Sequence, residues 1–308
     1  MCASDKIKRF EVWKKESMND YKYIEVELNG WNDLFMLNQS FLSYFVFRGQ
    51  GDAEWPLETS LRRMIEDNHG KNVDAKRIES YERQMIEEFM WKYPSYQSNP
   101  NLIPGDKEAL EWLSLMQHYG AKTRLLDFTQ SLYVALYMAL YGSNTSDFAI
   151  WGLNCHMIDP SLLRLNGLEN NSMYQAALDS LNQDPLSQKQ EEKSKLFIFR
   201  PQKCNERIIR QQGLFVMPST ITLTFESVLS LYCNMQDVLE VEVDNLIKGS
   251  EVPEIAREYG VIKFKIPNAM RYEITRALEK MNISAETMYP GLPGLAQSVN
   301  RMRFEDKL

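Results

Sequence analysis

Tyr44-Phe-Val-Phe-Arg-Gly-Gln-Gly-Asp-Ala-Glu-Trp55 joins a short apolar run to a charge. Tyr44 to Phe47 has the length and composition of a buried strand. Arg48 stands at its end, followed at once by Gly49, Gln50 and Gly51. A guanidinium keeps its charge and is costly to bury unpaired. Glycines beside it allow a tight turn and a close approach of other groups. The pattern is that of an anion-binding position at the rim of a sheet. The plainer reading is a surface arginine in a strand-ending turn.

On the N-terminal side, Tyr23 to Glu27 alternates like a strand, and Trp31 to Phe41 has a helical pattern. On the C-terminal side, Thr59 or Ser60 is placed to cap a helix carrying Arg62 and Arg63, which are expected in solvent. Asp74 to Tyr93 is a long amphipathic helix, and Pro94 to Pro104 a linker. Lys107 to His118 is a further helix, ending at Tyr119-Gly120 with a glycine C-cap. Thr123 to Thr129 reads as a strand with polar residues at its end. Thr129 or Ser131 then opens the helix Leu132 to Tyr141, which is apolar almost all round and so predicts a central buried helix.

Phe148 to Leu153 and Leu196 to Phe199 are strand-like, whereas 159–195 reads as an insertion of short helices and loops. Val238 to Val243 and Val261 to Ile266 alternate and suit antiparallel strands with one wet face. Asn268 is placed to cap the helix that runs to Met281. Short strands mixed with helices, without βαβ alternation, predict an α+β fold.

Composition bounds the function. The 308 residues carry a net charge of −7, with 44% hydrophobic and 25% charged residues. That balance is ordinary for a globular chain and disfavours a dominant nonspecific nucleic-acid surface. The four cysteines are scattered, without a CxxC pair or a histidine cluster, so neither a disulfide framework nor a zinc site is expected. The polar start Met-Cys-Ala-Ser-Asp-Lys and the shortness of the apolar run Leu132–Tyr141 lead to the expectation of a cytoplasmic protein with no signal peptide and no membrane partner.

Three segments place polar residues at the ends of apolar strands: Phe47-Arg-Gly-Gln50, Gln117-His-Tyr-Gly-Ala-Lys-Thr-Arg-Leu-Leu-Asp-Phe-Thr129, and Arg207-Ile-Ile-Arg-Gln-Gln-Gly-Leu-Phe215. In this order they resemble the FRG domain family, named for its Phe/Tyr-Arg-Gly motif. In that family a tryptophan and an apolar-polar stretch ending in basic residues come after the first motif, and Trp55, Leu57 and Arg62-Arg63 are similar to them. Gln117 to Ala139 matches the second motif with its Ala-Leu helix, and Arg207, Gln211, Gly213 and Phe215 match the third. The resemblance implies one domain over 41–295, with 1–40 packed on it and 296–308 as a terminal helix or tail.

The chain also resembles ADP-ribosyltransferases of the Arg–Ser–Glu type in the order and pattern of its segments. Phe47-Arg48-Gly49 is similar to their aromatic-Arg strand. Asp127-Phe-Thr129, followed by Val134-Ala-Leu-Tyr-Met-Ala139, is similar to their second strand and helix. Gln211 or Gln212 falls where their catalytic glutamate is expected. The resemblance implies a central mixed or antiparallel split sheet flanked by helices. It also implies NAD as substrate, no metal, and transfer of ADP-ribose to a protein or nucleic-acid acceptor, or NAD hydrolysis, in a prokaryotic defence or toxin setting.

Arg48, Gly49, Gln50 and Arg124 would then bind the dinucleotide. Arg48, Asp127, Thr129, Gln211 and Gln212 would form the catalytic set. Glutamine hydrogen-bonds a ribose but is no base, which leaves Asp127 or Glu206 as the carboxylate. The alternative is a non-catalytic module recognising a nucleotide or phosphate through Arg48, Arg124 and Arg210. A nuclease-like role for His118 with Asp127 is a third reading. Each residue also has a structural reading: Arg124 and Asp127 as an ion pair, Thr129 as a cap, and His118 at a helix C-terminus.

Overall fold

A computed structural model of the chain describes residues 21–38, 44–71, 73–97, 99–100, 103–140, 145–159, 172–181, 194–203, 205–240 and 258–302. Eight strands are hydrogen-bonded into one mixed sheet: β1 (Tyr21–Glu27), β2 (Phe45–Gln50), β3 (Leu126–Thr129), β4 (Phe148–Asn154), β5 (Leu196–Phe199), β6 (Gly213–Pro218), β7 (Cys233–Glu240) and β8 (Tyr259–Ile266). Their order across the sheet is β5-β6-β3-β2-β4-β8-β1-β7. With helices flanking it, this is the α+β architecture expected. Among the described residues no helix is long and apolar enough to cross a membrane.

Two expectations about the sheet are corrected. β8 does not have a wet face, and its partner β1 runs parallel to it, as β1 does to β7. β8 pairs with β4 on its other side and is buried along most of its length. Lys263 and Lys265 look solvent-facing in the alternating pattern. In the fold the Lys263 ammonium lies 4.9 Å from the Trp151 ring centroid, and Lys265 pairs with Glu25. Long lysine stems cover apolar surface while their charge is paired, which periodicity cannot reveal. The sheet is also continuous rather than split in two. Its weakest join is between β2 and β3, which share the single pair Phe47↔Thr129.

One face of the sheet is covered by two separate groups of helices. The helix Leu132–Ala139 and the helix Arg271–Lys280 pack over β1, β2, β4 and β8 through residues such as Phe45, Phe47, Ile150, Phe264 and Ile274. The helices Ala109–His118 and Ser172–Leu181 pack over β5 and β6 through Leu110, Leu113, Tyr174, Phe199 and Phe215. The register pairs Phe47 with Thr129 and Asp127 with Phe215, so Asp127 and Thr129 share this face. They fall between the two groups of helices. The opposite face packs Val46, Leu126, Phe128 and Trp151 against Phe225, Val228 and Leu229 of the helix Phe225–Leu229.

The local capping signals hold in part. Thr59 caps Ser60–His69 through the Arg62 N–H. Ser131 caps Leu132–Ala139 through the Val134 N–H, so Ser131 rather than Thr129 is the cap. Asn268 is not a cap: it opens a 3-10 turn, Asn268–Met270, and accepts from the Arg271 side chain. Arg62 is buried rather than solvated, donating to Glu66 and to the carbonyls of Ile221 and Thr222. Residues 1–20, and all of the 159–195 insertion except Asp159, the helix Ser172–Leu181 and 194–195, lie outside the described residues.

Candidate functional site

β2 and β3 part after Phe47↔Thr129, and Arg48 crosses the gap. Its Nη1 donates to the Asp127 carbonyl at 2.8 Å, in place of a missing ladder bond. The rest of its guanidinium has no hydrogen-bond partner among the described residues. Burial pushes the Arg48 pKa down, and the Arg63 charge adds to this, while the Asp127 carboxylate opposes both. The group stays protonated at any physiological pH.

Beside this seam lies a cavity of about 190 Å³, lined in part by Arg48, Gly49, Asp127, Thr129, Arg207 and Gln211. Five of the residues singled out from the sequence, in three different segments, therefore meet at one place. A smaller adjoining cavity of about 50 Å³ shares Asp127, Phe128, Arg207 and Gln211 and adds His118 and Asn205. Asp127 is exposed on β3 and is the one carboxylate lining either cavity among the described residues.

The backbone explains why these groups converge. A Cβ on Gly49 would lie 1.9 Å from the Ala135 carbonyl oxygen and 2.5 Å from the Ala139 nitrogen. Only glycine lets the helix Leu132–Ala139 press this closely on β2. Thr129 Oγ1 donates to the Gln211 carbonyl at 2.7 Å and accepts from the Ser131 N–H at 3.1 Å. The Gln130 N–H donates to the Gln212 carbonyl at 3.2 Å. These bonds hold the turn after the helix Glu206–Arg210 against the end of β3. Gln212 takes a positive φ of 47°, uncommon for a residue with a Cβ.

Other residues are engaged elsewhere. Gln50 donates to the carbonyls of Trp55 and Pro56 and accepts from the Trp151 indole at 2.5 Å. Arg124 does not line the cavity. It forms a buried two-bond pair with Glu82 and donates to the Ser219 carbonyl. Neither the expected Arg124–Asp127 pair nor a dinucleotide contact is its place in the fold. Gln212 does not line the cavity either, and Gln211 donates its amide to the Met288 carbonyl at 3.0 Å. Arg210 pairs with Glu206.

Arg207 belongs to the third motif and was not expected at the site itself, yet it lines both cavities. Its guanidinium stacks 4.9 Å from the Tyr289 ring centroid. It makes no hydrogen bond or ion pair among the described residues. The clue in the sequence is its spacing, Arg-x-x-x-Gln, which puts Arg207 and Gln211 on the same side of a short helix.

His118 is the last residue of its helix, as expected, and its Nδ1 lies 3.2 Å from the Asn205 side-chain amide. Burial first, and then the Arg207 charge, lowers its pKa from the ordinary 6.5. A histidine that resists protonation in the fold destabilises it once protons bind. Stability is therefore expected to fall as pH drops from about 6.5 through the lowered folded value. Arg207→Gln should raise the His118 pKa, measured by an NMR titration of the imidazole. An unchanged titration would place Arg207 too far away to act.

Searches among curated proteins and among solved structures found no match. The family comparison reaches from the first motif to the start of β4, and the third motif lies beyond it. Residues 43–147, which hold Arg48-Gly49, His118, Asp127 and Thr129, match the FRG domain, and the chain carries a domain of that family.

Proposed function

We propose that the cavity at the β2–β3 seam binds NAD and that the protein breaks the nicotinamide–ribose bond. ADP-ribose would pass to a macromolecular acceptor or to water. The observation that carries this reading is the meeting of Arg48, Arg207 and Asp127 at one cavity. Two guanidinium groups suit the diphosphate, which accepts charge-assisted and bidentate hydrogen bonds. The order of segments supports it too: an aromatic-Arg strand, then Thr129 leading into a buried helix, then Gln211. About 190 Å³ is below the roughly 300–1,000 Å³ typical of a whole small-molecule site, so the cavity suits one end of the dinucleotide.

Cleavage sends the bonding electron pair to nicotinamide and leaves an oxocarbenium-like ribose. The acceptor oxygen then bonds to the anomeric carbon and loses a proton. Asp127 is the group at the cavity able to stabilise the cation and take that proton. Arg48 and Arg207 hold the diphosphate, and Thr129 keeps the 211–212 turn in place.

A second reading is recognition of a nucleotide or phosphate-bearing partner without turnover. It is favoured by Gln211, which is no base and whose amide is already committed to Met288. Labelled NAD separates the two, with free nicotinamide, macromolecular label and binding all followed. Arg207→Gln should weaken NAD binding about tenfold or more, the worth of a hydrogen bond to a charged group. Asp127→Asn should abolish nicotinamide release and leave binding intact. Binding by the unaltered protein without release would favour the second reading. Failure to bind NAD, ADP-ribose or inorganic pyrophosphate would defeat both.

A further inference from the structure

A second, larger cavity of about 560 Å³ shares no lining residue with the two at the seam and lies between the C-terminal half of the helix Ala75–Lys92 and the Tyr119–Ala121 turn. Its inner wall is Met85, Phe89, Tyr93 and Met116, and Tyr96 and Tyr119 stand at its lip. Phe89 and Tyr93 stack with ring centroids 5.5 Å apart. The lip tyrosines are 86% and 63% exposed, and the Tyr119 ring lies 6.3 Å from Tyr93, centroid to centroid. The nearby charges neutralise one another, because Lys92 bonds to Glu88 at 2.5 Å. The buried Tyr93 hydroxyl is also satisfied, by the Gln97 amide at 3.2 Å.

We propose that this cavity is a binding site for a neutral, planar aromatic small molecule, distinct from the site at the seam. Its volume lies within the range of small-molecule pockets and exceeds what one side chain of a docking partner would fill. Ring faces and thioethers favour stacking and sulfur–aromatic contacts. With the Glu88–Lys92 charges paired and Tyr93 bonded, the wall offers no free charge to an ionic ligand. A fused pair of rings would meet the Phe89–Tyr93 stack at the inner wall, with the lip tyrosines beside it.

The test uses the full chain and 2-naphthol as the probe, titrated by calorimetry and by protein NMR. Saturable one-site binding is expected, with shifts at Tyr96 and Tyr119. Tyr119→Ala, at an exposed position, should weaken it about tenfold, the effect of losing one stacking partner. Ala121→Leu should block it by filling the cavity. Both variants should keep the wild-type thermal transition and any NAD binding at the seam. No binding at low millimolar 2-naphthol, or binding unaffected by both variants, would overturn the proposal. So would tighter binding of tetramethylammonium or adenosine at the same residues, since that would mean a cationic or nucleoside ligand.

Discussion

Gly49→Ala is expected to cost about 3 kcal/mol or more, the upper end for forcing atoms into a packed interior. The new methyl would meet the Ala135 carbonyl and the Ala139 nitrogen, at 1.9 and 2.5 Å. Both are backbone atoms of a buried helix, so no side chain can swing aside. The helix Leu132–Ala139 would have to lift from β2, and Leu132, Val134, Ala135 and Leu136 would lose their packing on Phe45 and Phe47. Loss of soluble yield, or a large fall in denaturant midpoint at unchanged slope, is the expected measurement. The effect should also reach the site, because Val134, Ala135 and Met138 line the seam cavity. A variant with wild-type stability would show that β2 and the helix are not held this closely.

By itself, the Arg48-Gly49 pair suggests an anion site. In the fold the two residues have separate tasks. Gly49 admits a helix, and Arg48 bonds across the seam while keeping most of its guanidinium free. The buried helix and the strand at Arg48 are legible, because each is written in local spacing, and the two caps are legible to within a choice that the fold makes for Thr59 and Ser131. Convergence of the three motifs is also legible, since each puts polar residues at a strand end. Strand partners are not. β1 sits between β7 and β8, and nothing within Tyr21–Glu27 encodes neighbours more than 200 residues away. Lys263 and Lys265 mislead for a related reason: alternation marks a polar face, but Lys263 is buried against Trp151 and Lys265 is paired with Glu25. Arg207 does not stand out as a site residue because its freedom is a fact about what surrounds it. Neighbouring Arg210 has an ion-pair partner four residues back, and Arg207 has no ion pair among the described residues, only the Tyr289 ring.

Arg124, expected at the dinucleotide, gives the second large effect. Its guanidinium and the Glu82 carboxylate form two charge-assisted bonds, with side chains only 10% and 8% exposed. The pair ties the helix Ala75–Lys92 to the approach to β3, and the Ser219 bond extends it to the end of β6. Removing one member strands the other as a buried, unpaired charge. Glu82→Leu or Arg124→Met should therefore each cost about 3–5 kcal/mol. Removing both is different, because an apolar pair strands no charge. The double variant Glu82→Leu with Arg124→Met should lose less than either single change, with some residual cost for the unbonded Ser219 carbonyl. A double-mutant cycle in denaturant gives the coupling directly. If Arg124 bound NAD, the double variant would recover stability and still lose binding. The fold leads to a different expectation: stability largely restored, and any NAD binding at the Arg48–Arg207 cavity unchanged.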